Sequence, residues 1–170
     1  VTAADAGAHV LCEKPMARNT AECDAMIAAC ERAGVKLGVA FQGRFEPLSV
    51  RLKAGLDAGR IGPMLWASAN TLWHRTDAYY RSGPWRGTWA HEGGGVLINQ
   101  AIHAIDLLLS LTGMPEKITA RTRTLNHQIE VEDAALAILE FPDGRLGLIQ
   151  ATTIAHPGFP ERLEFFGANG

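Results

Sequence analysis

The sequence predicts an α/β unit followed by a longer α+β region whose open sheet is mostly antiparallel. In the first part, an apolar run at 9–13, an amphipathic segment at 20–34 and an apolar run at 35–41 alternate as strand, helix and strand. In the second part, a strongly apolar helical segment at 95–113 precedes four β-type runs with no helix between them. The first pattern is typical of a parallel βαβ unit, and consecutive strands indicate an antiparallel sheet.

The α/β unit is built from four short elements. Residues 3–7 form a helix end closed by Gly7, and "HVLCE" is a short apolar run of the kind that forms buried parallel strands. Thr20 is expected to cap the next helix, which ends at Gly34 before the second strand, "VKLGVAF". Because the chain starts with Val and so apolar a strand normally has neighbours, we expect the natural sequence to continue upstream, and also beyond "LEFFGANG".

The boundary between the two parts is predicted near 43–47, which gives one domain at 1–45 and a second at 46–170. The second domain opens with a helix at 46–58 and a long β-type run at 64–74. Turn signals separate its four closing strands. These strands read "KITARTRTL", "DAALAILEF", "LGLIQATTI" and "RLEFFG".

Composition excludes several classes of protein. The 170 residues are 47% hydrophobic and 20% charged, with a net charge of −2 and a pI of about 6.3, so no basic field favours nucleic acid. No apolar run has the length of a membrane span. The three Cys residues lack CxxC spacing, and the His residues lack the spacing of metal ligands. We therefore expect a cytoplasmic protein without a metal, a membrane partner or a nucleic-acid partner.

A Glu13-Lys14-Pro15 triplet ends the first predicted strand. In an open parallel sheet, ligands bind beyond the carboxyl ends of the strands, so the Lys14 amine would point into such a site. Pro15 restricts the backbone of both residues, and Glu13 can pair with Lys14 or with a nearby backbone group. A surface Glu-Lys pair of little energetic weight explains the spacing equally well.

The segment "EGGGVLINQAIHAIDLL" places polar groups on an apolar helix. Asn99 and His103 are four residues apart, and Asp106 follows three later, so all three are predicted on one helical face. Three Gly residues before this helix would allow close approach of the backbone to a ligand. A core His bonded to a core Asp is the structural alternative, but three polar groups behind a triple Gly favour a functional site.

The loop "HRTDAYYRSGPWRGTWAHEGGG" interleaves aromatic residues with arginines. This composition suits a polyhydroxylated or anionic small molecule. A loop at a subunit contact has the same composition, so both interpretations stay open. The aromatic residues are Tyr79, Tyr80, Trp85 and Trp89, and the arginines are Arg75, Arg81 and Arg86.

Four stretches together resemble the Gfo/Idh/MocA family of oxidoreductases. They are "CEKPMARN", "FQGRFEP", "GPWRGTWAHEGGGVLINQAIHAIDLL" and "ATTIAHPGFPERLEFFGANG", so the resemblance runs from end to end. The GxGxxG fingerprint of the family and the acidic residue after it are not in this chain. Many members have Asp four residues before the helix His, where this chain has Asn99.

The resemblance implies that 1–45 is the C-terminal part of a Rossmann nucleotide-binding domain, and that 46–170 binds substrate and mediates oligomerisation. It implies an NAD(P)-dependent oxidoreductase acting on a sugar, cyclitol or sugar derivative. Because one face of the broad antiparallel sheet must be covered and too few helices remain for it, we also expect homo-oligomers, dimers or tetramers, formed through that sheet. A redox-neutral member that retains NAD and a non-catalytic NAD(P)-binding paralogue are the alternatives. Lys14 and His103 are the expected catalytic residues, with substrate contacts from Asn99, Tyr80, Arg86 and His74, and cofactor contacts from Glu13, Lys14, Pro15, Gln42, Arg44 and Trp85.

Overall fold

The computed structural model describes all 170 residues as two sheets with helices around them. The helices are α1 (Thr2–Asp5), α2 (Thr20–Ala33), α3 (Pro47–Asp57), α4 (Asp77–Arg81), α5 (Trp89–Glu92), α6 (Val96–Asn99) and α7 (Ile102–Thr112). The strands are β1 (Val10–Cys12), β2 (Leu37–Val39), β3 (Met64–Leu72), β4 (Lys117–Arg123), β5 (Ala134–Glu140), β6 (Leu146–Thr152) and β7 (Arg162–Gly167).

The first sheet consists of β1 and β2, which pair in parallel through the α2 crossover, as predicted. Asn19, rather than Thr20, caps α2, because its side-chain oxygen accepts a hydrogen bond from the Glu22 amide at 2.9 Å. Thr20 is instead the first helical residue. Gly34 ends the helix in the left-handed conformation, at φ 64°, as the sequence indicates.

The expectation that β1 is buried is wrong for its central residue. Leu11 is 79% exposed, because the sheet has only two strands and one of its faces is uncovered. The opposite face packs on α1 and α2, where Ala4 of α1 and Ala29 and Cys30 of α2 form a small buried cluster. Cys30 is therefore a core thiol.

The second sheet has five strands in the order β4-β5-β6-β3-β7. Only the β3–β6 pairing is parallel, and the other three pairings are antiparallel. The prediction of a mostly antiparallel open sheet is confirmed.

One face of the five-stranded sheet carries the main core, and the other is open. Leu108 of α7 is fully buried against Leu139 of β5 and against small residues of β3. On the opposite face, Leu136 and Ile138 are 56% and 50% exposed, and β4 is exposed along its whole length.

The apolar helix predicted at 95–113 is broken in the structure. It divides into α6 and α7, because the Ala101 amide donates to the Val96 carbonyl, five residues back, at 2.8 Å. The Gln100 side chain at the break donates to the Tyr79 hydroxyl at 3.2 Å. Asn99 and His103 therefore lie on two different helical segments and not on one continuous face.

None of the helices, taken by itself, combines the length and the apolar character that a membrane span requires. The segments 89–99 and 102–112, which meet at 54°, have the length and composition of a span only when they are taken together.

Candidate active site

A cleft of about 720 Å³ opens beside the loop that follows β1. One wall comes from residues 14–18 and from α2, and the other from the loop between α4 and α6. The side chain of Arg18 joins the walls by donating to the Ala90 carbonyl and also pairs with Glu22. The lining residues are Val1, Lys14, Pro15, Met16, Ala17, Arg18, Glu22, Ala25, Met26, Trp85, His91, Glu92, Ile98 and Asn99.

Lys14 reaches across this cleft. Its ammonium donates a hydrogen bond to the backbone carbonyl of Asn99 at 2.8 Å. Partial burial lowers the pKa of Lys14 below its ordinary value, and the negative charges of Glu13 and Glu92 oppose that shift. Lys14 therefore loses its proton more readily than a surface lysine does. The Lys14–Pro15 peptide bond is cis.

Glu92 is a site residue that the sequence reasoning missed. It lines the cleft and is only 7% exposed. Its Oε1 accepts from the side-chain amide of Asn99, and its Oε2 accepts from the Gly87 amide. An acidic residue directly before a Gly run, in a loop otherwise rich in arginine, is the signal that could have identified it.

His103 lies in the first turn of α7, close to Lys14. Burial lowers the pKa of His103, the positive charge of Lys14 lowers it further, and Asp106 and Glu13 act in the opposite direction. The ring packs edge-on against Phe41, with 6.1 Å between ring centroids. The imidazole is therefore neutral at pH 7 and able to accept a proton.

Asp106 forms an ion pair with Arg44. The alternative given for this helix, a core Asp106 bonded to His103, is therefore not what the structure shows. The Arg44 Nε donates to the Asp106 carboxylate at 2.7 Å. Arg44 belongs to the 3₁₀ turn Gln42–Phe45, in which Gln42 is exposed. This ion pair joins the turn after β2 to α7, and neither Gln42 nor Arg44 lines the cleft.

In the loop rich in aromatic residues and arginines, only Trp85 of the predicted contacts lines the cleft. The Arg86 guanidinium lies between the rings of Tyr79 and Trp85, at 4.1 and 4.2 Å from their centroids. The Tyr80 hydroxyl shares a hydrogen bond of 2.8 Å with Thr153, and burial raises the pKa of Tyr80. Arg86 and Tyr80 thus support the loop from outside the cleft.

His74 lines a separate pocket of about 310 Å³. Its ring packs edge-on against that of His156, with 4.9 Å between ring centroids. The structure brings Lys14, Pro15, Trp85 and Asn99 together at the cleft. Glu13 lies close enough to raise the pKa of Lys14, and Lys14 lies close enough to lower the pKa of His103. The remaining predicted contacts lie elsewhere, and their roles stay predictions: Gln42, Arg44, His74, Tyr80 and Arg86.

The triple Gly brings the backbone before α6 close to two other backbone segments; its close approach to a ligand stays a prediction. A Cβ on Gly95 would lie 1.9 Å from the carbonyl oxygen of Glu132, and one on Gly93 would lie 2.6 Å from that of Arg18. The Glu132 side chain also accepts from the Gly95 amide at 2.9 Å. These contacts fix the start of the short helix that ends at Asn99.

Two family models match the chain. Residues 49–170 match the GFO/IDH/MocA C-terminal domain, and residues 1–41 match an oxidoreductase family described as having an NAD-binding Rossmann fold.

Relatives of known name share about a third of its residues. D-apiose dehydrogenase of Rhizobium rhizogenes is 30% identical over 93% of this chain and 46% of its own length. Myo-inositol 2-dehydrogenase of Thermotoga maritima is 29% identical over 100% of this chain and 50% of its own length. The WlbA dehydrogenase of Bordetella pertussis, solved with NADH and UDP-GlcNAcA, superposes with a TM-score of 0.93 at 36% identity, over 98% of this chain and 51% of that one. The chain thus spans about half the length of these relatives, and it belongs to the Gfo/Idh/MocA family of oxidoreductases.

Proposed function

We propose that the full-length protein transfers hydride between a nicotinamide cofactor, NAD or NADP, and a hydroxyl of a sugar, cyclitol or sugar derivative. The observation that carries this proposal is the Lys14 ammonium held across the cleft on the Asn99 carbonyl, with a neutral His103 beside it. The relatives that act on apiose and inositol support the same class of substrate.

The cleft suits a nicotinamide ring. Pro15, Ile98 and Trp85 offer apolar surface next to a single ammonium, and the site follows the carboxyl end of a parallel strand. The residues that would hold this end of the cofactor are therefore Lys14, Pro15 and Trp85. Gln42, Arg44 and Glu13 remain proposed contacts of the more polar parts of the cofactor.

The proposed chemistry uses two side chains of this chain. His103, neutral at pH 7, accepts the proton of the substrate hydroxyl as that hydroxyl is oxidised. The Lys14 ammonium stabilises the negative charge that develops on the oxygen, in a cleft from which water is partly excluded. Asn99 holds a neighbouring hydroxyl in place. The Tyr80, Arg86 and His74 side chains are proposed to contact more distant parts of the substrate when it binds.

The test is reduction of the cofactor by the purified full-length protein. It is incubated with NAD or NADP and with D-apiose, myo-inositol or UDP-GlcNAcA in turn, while the absorbance of reduced nicotinamide is followed. Turnover with at least one polyol, lost in Lys14→Met, is the expected result. A tightly held cofactor with product but no net reduction would favour the redox-neutral alternative. Failure of NAD and NADP to bind would sink the proposal.

We also propose a division into a nucleotide-binding domain at 1–45 and a substrate domain at 46–170, and homo-oligomerisation through the open sheet face. Leu136 and Ile138 on that face leave an apolar surface that a second copy would cover. Ile138→Glu should lower the mass measured by light scattering, whereas Ile118→Glu, at an exposed position on the opposite sheet face, should not lower it as much. An unchanged mass would contradict this interface.

We propose a cytoplasmic location without nucleic-acid or membrane partners. The three free cysteines suit a reducing compartment. The net charge of −2 gives no basic surface for polyanions. Fractionation of the native cells, with the protein detected in the soluble fraction, is the measurement that checks this.

A further inference from the structure

We propose that Glu92 is a positioning residue that fixes the side-chain amide of Asn99 so that its carbonyl oxygen, and not its NH₂ group, faces the substrate. This inference rests on the proposed function of the cleft. It gives position 99 a defined chemical preference, namely for a substrate hydroxyl that donates a hydrogen bond.

The contacts of Glu92 set the orientation of the amide. A carboxylate only accepts hydrogen bonds, so the Asn99 atom that meets Glu92 Oε1 has to be the amide nitrogen. The other carboxylate oxygen is held by the backbone amide of Gly87. Because Glu92 is 7% exposed, it cannot turn away to water, and the Asn99 amide is fixed with it.

The remaining polar atom of Asn99 is its Oδ1. The backbone carbonyl accepts from the Lys14 ammonium at 2.8 Å, the backbone amide donates to the Gly95 carbonyl at 3.0 Å, and one N–H of the side-chain amide donates to Glu92. Asn99 lines the cleft, so Oδ1 is its free acceptor there. Oδ1 and the Lys14 ammonium then form an acceptor and a donor close together, which complements a pair of sugar hydroxyls.

A carboxylate at position 99 would conflict with Glu92. Two ionised carboxylates at hydrogen-bond distance repel each other, and one of them would take up a proton. An amide at position 99 supplies the same acceptor toward the substrate without that repulsion. Glu92 and Asn99 are therefore expected to work as a matched pair.

Three variants of the full-length protein test this pairing through kcat/KM. In Glu92→Gln, the new amide donates to Asn99 and turns its side chain over, so we expect about a tenfold loss. In Asn99→Asp, two carboxylates meet, so we expect a loss on the order of a hundredfold. In the double variant, the amide now at position 92 donates to the carboxylate now at position 99, whose second oxygen faces the substrate. Its activity should return to within a few-fold of the parent and exceed that of both single variants.

Glu130→Gln is the matched control. Glu130 is an exposed carboxylate that accepts from the Trp89 amide at 2.9 Å in the same loop, and it does not touch Asn99. It should keep near-parental activity. The proposal is overturned if the two single losses multiply in the double variant. It is also overturned if Glu92→Gln only moves the alkaline limb of the pH profile, because Glu92 would then act on the charge of Lys14 alone.

Thermal unfolding gives a readout that does not need turnover. In Asn99→Asp, repulsion between the two carboxylates raises the pKa of one of these carboxyl groups in the folded state above its value in the unfolded state. Folding is then favoured while that group is protonated, and this stability is lost as the pH rises. The deficit in Tm relative to the parent should grow from about pH 5 to about pH 8, and should not grow in the double variant. A deficit independent of pH would overturn the pairing. If no sugar is oxidised by the parent protein, the proposed function fails while this measurement still decides the role of Glu92.

Discussion

The cleft and the covered face of the five-stranded sheet both exclude water, but they bury different classes of side chain. Under α7 the buried groups are apolar, with Leu108 and Leu139 fully enclosed. In the cleft, polar groups are withdrawn from water with hydrogen-bond partners: Lys14 donates to the distant Asn99 carbonyl, and Glu92 accepts from nearby Gly87 and Asn99. We therefore expect the sheet to supply stability and the cleft to supply the proposed activity, so substitutions in the two regions should have separable effects.

The largest expected effect is on activity, from Lys14→Met in the full-length protein. Loss of the ammonium removes the stabilisation of charge on the substrate oxygen, so kcat should fall by about 10²–10³. The melting temperature should change little, because Lys14 is only partly buried. Steady-state kinetics and thermal unfolding measure the two. Lys36→Met, at an exposed position of the same region, is the control. A fall in the melting temperature as large as that of a core substitution would contradict the separate roles proposed for the cleft and the sheet.

Leu108→Ala is the reverse experiment. Deleting a fully buried side chain from α7 should lower the free energy of unfolding by about 3 kcal/mol, measured by urea denaturation. The kcat of the folded enzyme should stay close to that of the parent. Leu48→Ala, at an exposed position on α3 outside that sheet, should cost less than about 1 kcal/mol. Equal losses in these two variants would show that the covered face is not the main core.

The triple Gly lies between the cleft and the helix that covers the sheet, and substitutions at its members should differ in their effects on stability and on KM. Gly95→Ala would press a methyl group into the Glu132 backbone, so it should destabilise the fold by about 2 kcal/mol and displace α6. Gly94→Ala meets only the Ile98 side chain, at 3.0 Å, and this side chain can move aside. Thermal unfolding and KM should both change more in the first variant. Similar melting temperatures and KM values in the two variants would mean that the start of α6 can shift without consequence.

The smallest effect concerns pH. Because burial and Lys14 lower the pKa of His103 below 6.5, the imidazole stays an acceptor at pH values where a surface histidine is half protonated. Between about pH 7 and pH 6.5, kcat/KM for oxidation should therefore change by less than about twofold, and it should fall only at lower pH. His103→Gln should lose this acid limb together with most of the activity. An acid limb above pH 6.5 in the parent would contradict the assignment.

The strands were predictable because their signal is local. β5 alternates between buried and exposed residues along its length, so the pattern of apolar residues in "DAALAILEF" already marks a half-covered strand. Lys14 was predictable for a related reason, since its position at a strand end follows from the topology of parallel sheets.

The break between α6 and α7 was not predictable from local signals. Neither Gln100 nor Ala101 disfavours a helix, and the side-chain partner of Gln100 at the break, Tyr79, lies twenty-one residues away. The role of Glu92 was hidden for the same reason. Its partners, Gly87 and Asn99, are set by the path of an irregular loop, which periodicity does not describe.

The hydrogen bonds from Lys14 to Asn99 and from Arg18 to Ala90 share one property. In each, a side chain after β1 donates to a main-chain oxygen of the second region. Every amino acid has such an oxygen, so residues 90 and 99 can change identity during evolution without removing either acceptor. A new side chain at position 99, where we propose that substrate is contacted, would therefore leave the two halves of the molecule joined, provided that the donors at 14 and 18 are kept.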